Sequence, residues 1–173
     1  MGFCEYVFSK DKVQNRFEVL TKNEPCNNRY SCVASVTVFI KELKLKITRG
    51  GKFTVFGIPK EVTQPYFNKG VMVRRKEKGI QINTDVGVTV EYDGVFNVFV
   101  TIHSRYREMT AGLCGNYNGD INDEYIGQNS HLSDSIVDFT DSWKVDQSCP
   151  NSPIPENPCL TTSSIAQDAK MKC

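Results

Sequence analysis

The feature that most constrains the fold of this chain is a period-two alternation of apolar and polar residues over its first hundred positions. Successive side chains of a β-strand point to opposite faces, so the alternation predicts strands with one buried face. In one segment, for example, Leu43, Leu45 and Ile47 alternate with lysines and a threonine. The predicted strands cover residues 4–9, 16–22, 36–40, 43–47, 52–56, 71–75, 80–84, 86–92 and 98–102.

Glycine-containing dipeptides separate several of these segments and predict tight hairpin turns, because glycine adopts the positive φ angles that such turns require. The dipeptides are Gly50-Gly51, Lys78-Gly79 and Asp93-Gly94. Short strands joined by consecutive hairpins predict an all-β fold, an antiparallel β-sandwich. After Tyr125 the pattern changes, and residues 134–145 predict a short helix or turn ending near Trp143, whose indole we expect to pack on the edge of the sandwich.

Length and charge exclude several classes of function. The chain has 173 residues, enough for one domain with a substantial core, and a formal net charge of +1. No clustering of arginine with aromatic residues indicates nucleic-acid binding, and no apolar run is long enough to predict a membrane span. The first residues lack the features of a signal peptide, so for a secreted protein we expect that signal upstream.

Seven cysteines are spread along the chain without a C-x-x-C pair or a Cys/His cluster. This pattern favours disulfides over zinc binding or redox chemistry, and it is typical of an oxidising compartment. The odd number means that at least one cysteine has no partner within the chain. Cys26 and Cys32 are close enough in sequence to bridge and close a small loop.

The segment 110–125 concentrates carboxylate and amide side chains around Gly115 and Gly119. These side chains belong to Asn116, Asn118, Asp120, Asn122, Asp123 and Glu124. Calcium is a hard cation that gathers six to eight oxygen ligands, so the cluster predicts a calcium-binding loop. The spacing is not that of an EF-hand, since Ile121 stands where the glycine of that motif belongs. The alternative is a polar loop of Asx turns, in which the same side chains bond to nearby backbone N–H groups.

The residues Gly112 to Gly119, which read GLCGNYNG, resemble the signature of the von Willebrand factor type D domain. Further matches occur in the order and spacing of that family along almost the whole chain. They are Cys4-Glu5-Tyr6-Val7, Asn23-Glu24-Pro25-Cys26, Asp138-Phe139 and Ser142-Trp143-Lys144-Val145. The family occurs in von Willebrand factor, gel-forming mucins and other large extracellular proteins.

The resemblance implies a calcium ion in the loop. The implied ligands are the side-chain oxygens of Asn116, Asn118, Asp123 and Glu124, together with Asp120, which we expect to contribute its backbone carbonyl. It also implies two disulfides, Cys4–Cys149 and Cys26–Cys32. In the family, an opening strand supplies the partner of Cys114 and one more aspartate for the ion, and that strand is expected upstream of Met1.

Two departures from the family pattern occur together. Family members carry one cysteine after the first strand, where this chain has Asp11-Lys12-Val13, and another at the position of Ala111. Those two cysteines are partners in the family, so their joint absence leaves no orphan thiol. The chain also reads AGLC where the family has CGLC, which argues against thiol–disulfide exchange because that chemistry uses a C-x-x-C pair.

The resemblance divides the chain into three parts. Residues 1–149 correspond to a type D domain without its first strand, residues 150–158 to a proline-rich linker, and residues 159–173 to the beginning of an eight-cysteine module. Residues 161–172 predict a short helical C-terminal extension. Cys159 and Cys173 resemble the first two cysteines of that module, so their partners are expected outside this chain.

The expected function is a non-enzymatic structural and assembly module of a large secreted, disulfide-linked glycoprotein, mucin-like or von Willebrand factor-like. Its expected partners are neighbouring cysteine-rich modules and further copies of the full-length protein. The alternative is a ligand-binding module of an extracellular matrix, adhesion or growth-factor-regulating protein.

No catalytic residues are predicted, because neither His103 nor His131 has a cysteine or serine motif beside it and no G-x-S-x-G elbow occurs. A pH-sensing role for His103 is chemically possible, since histidine titrates near neutral pH. Two basic runs, 41–46 and 74–78, suggest a sulfated-glycan patch. The competing interpretation is that these lysines keep an open sheet face soluble and discourage edge pairing.

Overall fold

A computed structural model describes residues 3–26 and 31–151 of the chain. These residues form twelve β-strands in two antiparallel sheets and one short α-helix, which confirms the predicted all-β fold. The strands are β1 (Glu5–Asp11), β2 (Phe17–Pro25), β3 (Ser31–Ile40), β4 (Leu43–Thr48), β5 (Lys52–Val55), β6 (Ile58–Lys60), β7 (Tyr66–Asn68), β8 (Val71–Arg75), β9 (Ile80–Thr84), β10 (Val88–Tyr92), β11 (Val98–Ile102) and β12 (Thr110–Ala111). The helix α1 spans Ile136–Ser142.

The seven-stranded sheet has the order β12-β1-β2-β3-β4-β5-β6, and the five-stranded sheet has the order β11-β10-β9-β8-β7. Every neighbouring pair is antiparallel. Apart from the contact of β12 with β1, neighbours in the sheets are also neighbours in sequence. This meander follows from the short turns, because a tight hairpin can only join antiparallel strands.

The inward faces of most strands build one continuous core between the two sheets. One row of cross-strand partners joins Val19, Val38, Leu45 and Val55, all of which are buried. The residues between them in sequence project to the opposite face of the seven-stranded sheet. The period-two pattern therefore predicted which side chains enter the core.

Three strands were not predicted, and several predicted boundaries were wrong, most of all the start of β3, which lies at Ser31 and not at residue 36. The strands β6, β7 and β12 contain two or three residues each, and β6 has no buried residue. Their position is fixed by pairing with a neighbour, so their own sequence carries no alternating signal. The predicted strand 52–56 ends at Val55, because Phe56 and Gly57 form the turn into β6.

The helix α1 covers part of the outer face of the seven-stranded sheet. It begins after Ser135, whose hydroxyl accepts a hydrogen bond from the backbone N–H of Asp138. Phe139 and Trp143 pack on outward-facing Val7 of β1 and Leu20 of β2, and together they form a second apolar cluster. The indole N–H of Trp143 donates to the carbonyl of Ile126 at 3.3 Å, which ties the helix to the segment that follows the candidate calcium loop.

Two disulfides close the domain. Cys4, just before β1, is joined to Cys149 beyond the helix, with a Cα–Cα distance of 6.1 Å. Cys26, at the end of β2, is joined to Cys32 of β3, with a Cα–Cα distance of 5.7 Å. The predicted linker beyond Asn151, the predicted helix 161–172, and Cys159 and Cys173 lie outside the described residues.

Candidate functional site

The candidate calcium loop leaves β12 and is anchored along β1. The backbone N–H groups of Leu113 and Cys114 donate to the carbonyls of Val7 and Phe8, each at 3.0 Å. Gly112 lies against the same strand, and a Cβ at this position would stand 2.8 Å from the carbonyl oxygen of Phe8. Only glycine therefore fits, and the first half of the signature serves to dock the loop on the sheet.

Three successive Asx turns shape the loop. Asn116 Oδ1 accepts from the backbone N–H of Asn118 at 3.0 Å, and Asn118 Oδ1 accepts from that of Asp120 at 2.7 Å. Asp120 Oδ1 accepts from the backbone N–H of Asn122 at 2.9 Å and caps the 3-10 helix Ile121–Asp123. The local bonding that was the alternative to calcium binding is therefore present. The Oδ1 atoms of Asn116 and Asn118 each accept one such bond and keep a second lone pair free, so this bonding does not exclude an ion.

Asp123 accepts hydrogen bonds from two other side chains of the loop. Its Oδ2 accepts hydrogen bonds from the side-chain amides of Asn116 at 2.9 Å and Asn118 at 2.8 Å. Its Oδ1 is buried and has no hydrogen-bond partner. A buried carboxylate oxygen without a partner is unfavourable, because it has lost its water and gained nothing in return. A cation beside Oδ1 would remove that penalty.

The carboxylate of Glu124 packs against the glycine that precedes the asparagines. A Cβ on Gly115 would lie 2.3 Å from Glu124 Oε2, so a larger residue would displace this carboxylate. Gly115 also has a φ of 76°, a conformation that disfavours other residues. The sequence signature therefore brings Glu124 and Asp123 to the same side of the loop.

The side chains present fit calcium better than a transition metal. Within residues 3–26 and 31–151, no three His, Cys, Asp or Glu side chains are grouped closely enough to hold a metal by themselves. An ion in this loop would have to combine the carboxylates of Asp123 and Glu124 with neutral oxygens of Asn116 and Asn118, and calcium accepts such a mixed oxygen set. Oδ1 of Asp120 accepts two hydrogen bonds from Asn122, so its Oδ2 and its backbone carbonyl are the oxygens that it could offer to an ion.

A cavity of about 240 Å³ adjoins the loop and brings in residues that the sequence did not indicate. Asp123 and Glu124 line it together with Lys10 and Lys12 at the end of β1. Lys10 Nζ also lies 5.6 Å from the centroid of the Trp143 ring, which forms another part of the wall. The two lysines precede the loop by about a hundred residues, so only the pairing of β1 with β12 reveals that they are neighbours.

Cys114 has no disulfide partner among the described residues. Its side chain reaches the surface, yet the protein atoms packed around its sulfur disfavour the thiolate and raise its pKa to about 11. A thiol with this pKa is a poor nucleophile at neutral pH. This agrees with the AGLC sequence, which lacks the second cysteine needed for exchange.

The two histidines make hydrogen bonds within their own turns. His103 is exposed, and its Nδ1 accepts from the backbone N–H of Arg105 at 3.1 Å, while His131 Nδ1 lies 2.8 Å from the carbonyl oxygen of Asn129. His103 therefore lies at the surface of the domain. A pH-sensing role for it stays a prediction.

Comparison with known proteins gives a consistent result. A family model for the von Willebrand factor type D domain matches residues 1–131. The chain is 26% identical to human Mucin-5AC over 99% of its length, 32% identical to human IgGFc-binding protein over 92%, and 27% identical to SCO-spondin of Gallus gallus over 100%. It spans only 3% of the length of each of these relatives. In the part of the chain that the structure describes, no helix is long and apolar enough to span a membrane.

Proposed function

Because the chain belongs to the von Willebrand factor type D domain family, we propose that it is a non-enzymatic structural and assembly module of a large secreted glycoprotein, mucin-like or von Willebrand factor-like. The observation that carries this proposal is the match of the family model to most of the chain. Full-chain similarity to a mucin and to SCO-spondin supports it. The module would act through rigidity and through the surfaces it presents to neighbouring domains.

The disulfide framework suits this mechanical role. The Cys4–Cys149 bond ties the first strand to the segment after α1, across 145 residues of sequence. A force that pulls on either end of the domain would therefore act on this disulfide before it separates β1 from the sheet. We propose that Cys114 pairs with a cysteine of the domain's opening strand, and that Cys159 and Cys173 pair with cysteines of the eight-cysteine module, all outside the residues of this chain.

We also propose that the loop at Asn116–Glu124 binds calcium. The buried, unpartnered Oδ1 of Asp123 supports this assignment, together with the oxygen-rich side chains that converge on the same carboxylate. The ion would supply positive charge that holds these oxygens together. The residues of this chain would then fix the loop on β1, through the hydrogen bonds of Leu113 and Cys114, and present a single ordered surface to the neighbouring module.

Calcium titration by calorimetry on the whole chain tests the ion, with thermal melts in calcium and in EDTA. A ligand that binds only the native state stabilises it by about 2.7 kcal/mol at a free concentration one hundred times its Kd. We expect saturable heat at a one-to-one ratio and a higher melting temperature in calcium, with a much smaller effect of magnesium. Absence of heat together with identical melts would overturn the calcium assignment and leave the assembly role to be tested separately.

The alternative function is a ligand-binding module of a matrix, adhesion or regulatory protein. One observation favours keeping it, namely an open groove with two lysines on the outer face of the seven-stranded sheet. Affinity capture with immobilised sulfated and unsulfated polysaccharides would test the alternative directly. Retention on the sulfated matrix alone would support a ligand-binding role.

A further inference from the structure

A groove of about 440 Å³ crosses the part of the outer sheet face that α1 leaves open. Leu20 and Thr37, both buried, lie at its floor. Its walls are formed by Lys44 and Lys46 of β4, by Phe39 of β3, and by Phe56 in the turn after β5. We call this feature the lysine groove.

Lys44 and Lys46 form no ion pair with any described residue, unlike two other lysines that can serve for comparison. Lys41 is paired with Asp85 at 2.8 Å and Lys76 with Glu91 at 3.1 Å. Lys44 instead lies over the ring of Phe39, with Nζ 5.5 Å from the centroid. The groove therefore presents two ammonium groups that are not held in ion pairs, although Glu24 lies within electrostatic range of Lys46.

Protection of a sheet edge does not explain these two lysines. Lysines protect the exposed edges of sheets against unwanted pairing. β4, however, is hydrogen-bonded to β3 on one side and to β5 on the other, so it has no free edge. Side chains two residues apart on a strand project from the same face, roughly 7 Å apart, so the two charges are well placed to act on one ligand.

Phe56 is the most unusual residue of the groove. It occupies the first position of the two-residue turn between β5 and β6 with a φ of 50°, and its side chain is 58% exposed. Asparagine followed by glycine is favoured in such turns, and a bulky residue with positive φ is strained. The ring of Phe56 is exposed, so burial does not compensate for this unfavourable backbone conformation. Local strain of this kind marks functional positions.

The chemistry of the groove selects the class of partner. The backbone groups of β3, β4 and β5 are already paired with one another, so a peptide cannot join the sheet as an extra strand here. A partner must bind through side chains alone. We propose that the lysine groove binds a sulfated glycan, with sulfate groups at Lys44 and Lys46, sugar C–H faces on Phe56, and sugar hydroxyls at Thr54.

One residue opposes this ligand. Glu5 of β1 also lines the groove and places a carboxylate near the proposed sulfates. Removing this negative charge should therefore strengthen glycan binding, whereas removing either lysine should weaken it. A groove that merely kept the surface soluble would show no such opposite effects on a ligand.

The test is binding of a sulfated oligosaccharide to the whole chain in EDTA, so that the result does not depend on calcium. We expect Lys44→Gln/Lys46→Gln to weaken binding about tenfold, as expected for two solvent-exposed ion pairs. The matched control Lys41→Gln/Lys76→Gln removes the same charge from paired lysines and should change affinity much less. Binding should also fall steeply with salt. Equal losses of affinity in both double variants would show that binding depends only on the net charge of the domain. That result would overturn the site.

Two single variants separate binding from folding. Phe56→Asn places the favoured residue in the turn, so we expect a higher melting temperature together with weaker glycan binding. Glu5→Gln should bind more tightly than the unmodified chain. Unchanged affinity in Phe56→Asn, or equally strong groove-dependent binding of a desulfated oligosaccharide or of an acidic peptide, would overturn the sulfated-glycan assignment.

Discussion

The side-chain amide of Asn118 donates a 2.8 Å hydrogen bond to Oδ2 of Asp123, while Oδ1 of the same carboxylate is buried without a partner. One half of the carboxylate is therefore satisfied by the loop itself, and the other half is not. Both amide donors of the loop act on Oδ2, so neither of them replaces the water that Oδ1 has lost. The loop is consequently pre-shaped by local bonds but keeps an electrostatic penalty that a bound cation would relieve.

Replacing Asp123 with asparagine should separate these two contributions. Asp123→Asn keeps the shape of the side chain but removes its charge, so we expect the calcium-dependent rise in melting temperature to disappear. In EDTA the variant should be at least as stable as the unmodified chain, because the unpaired charge has been removed. Melts with and without calcium measure both effects.

The control for this experiment is Asp134→Asn, which neutralises an exposed aspartate outside the loop. Its calcium response should equal that of the unmodified chain. If Asp123→Asn retained the full calcium response, the ion would be bound elsewhere and the assignment of Asp123 would be wrong.

The two disulfides should differ in their contribution to stability. In the chain-entropy model, a cross-link stabilises by restricting the unfolded chain, and more so for a longer loop. The sequence separation is 145 for Cys4–Cys149 and 6 for Cys26–Cys32. Replacing both cysteines by serine should therefore cost about 5 kcal/mol for the long loop and about 2 kcal/mol for the short one.

Urea denaturation of the two double variants measures this difference. The short-loop variant is the matched control, because it makes the same pair of chemical changes. Equal losses would show that native-state contacts around the sulfurs, and not loop length, determine the contribution of each bond.

The sequence predicted those strands that bury one face and expose the other. It failed for strands that have no buried face. Leu43, Leu45 and Ile47 alternate with polar residues because one face of β4 lies in the core, so the strand was visible in the sequence. The strand β6 has no buried side chain, and its three residues pair with β5 at the sheet edge. The sequence of these three residues could not predict this strand, because it is defined by its pairing with β5.

The candidate site was predictable only in part for a related reason. Its loop residues are contiguous, so Asn116, Asn118 and Asp123 stood out by composition. Lys10 of β1 lines the same cavity only because β12 pairs with β1, which brings the loop to that strand. The strain at Phe56 was equally hidden, because phenylalanine is a good strand residue and its turn is defined by the register of β5 and β6.

Asp11 should make the stability of the domain depend on pH. Burial alone would raise the pKa of this fully buried carboxyl, but hydrogen bonds from the backbone of Gln14, the guanidinium of Arg16 and the backbone of Val13 outweigh it and hold its pKa below the ordinary value. A carboxyl with a depressed folded-state pKa contributes stability that is present above its unfolded pKa, about 3.9, and is lost as pH falls through the folded pKa.

The variant Asp11→Asn tests this contribution. At pH 7 we expect it to be less stable than the unmodified chain by about 2 kcal/mol, the usual range for hydrogen bonds to a charged group. The difference should shrink as the pH falls below 4, where the unfolded chain takes up a proton first and the native carboxyl follows at its lower pKa. Glu42→Gln, which breaks an exposed ion pair with Lys69, is the control and should have a much smaller effect. A difference that stayed constant from pH 7 to pH 3 would contradict this role for Asp11.

The thiol of Cys114 should be accessible but unreactive at neutral pH. Burial of its sulfur raises its pKa to about 11, and the thiolate is the species that attacks an alkylating reagent. In a Cys159→Ser/Cys173→Ser background, we expect alkylation to be roughly a hundredfold slower at pH 7.5 in the folded chain than in urea, where the thiol has its ordinary pKa near 8.5. The folded rate should keep rising up to pH 10. A folded rate that levelled off between pH 8 and 9 would mean an ordinary thiol, and it would reopen a role for Cys114 in disulfide exchange at neutral pH.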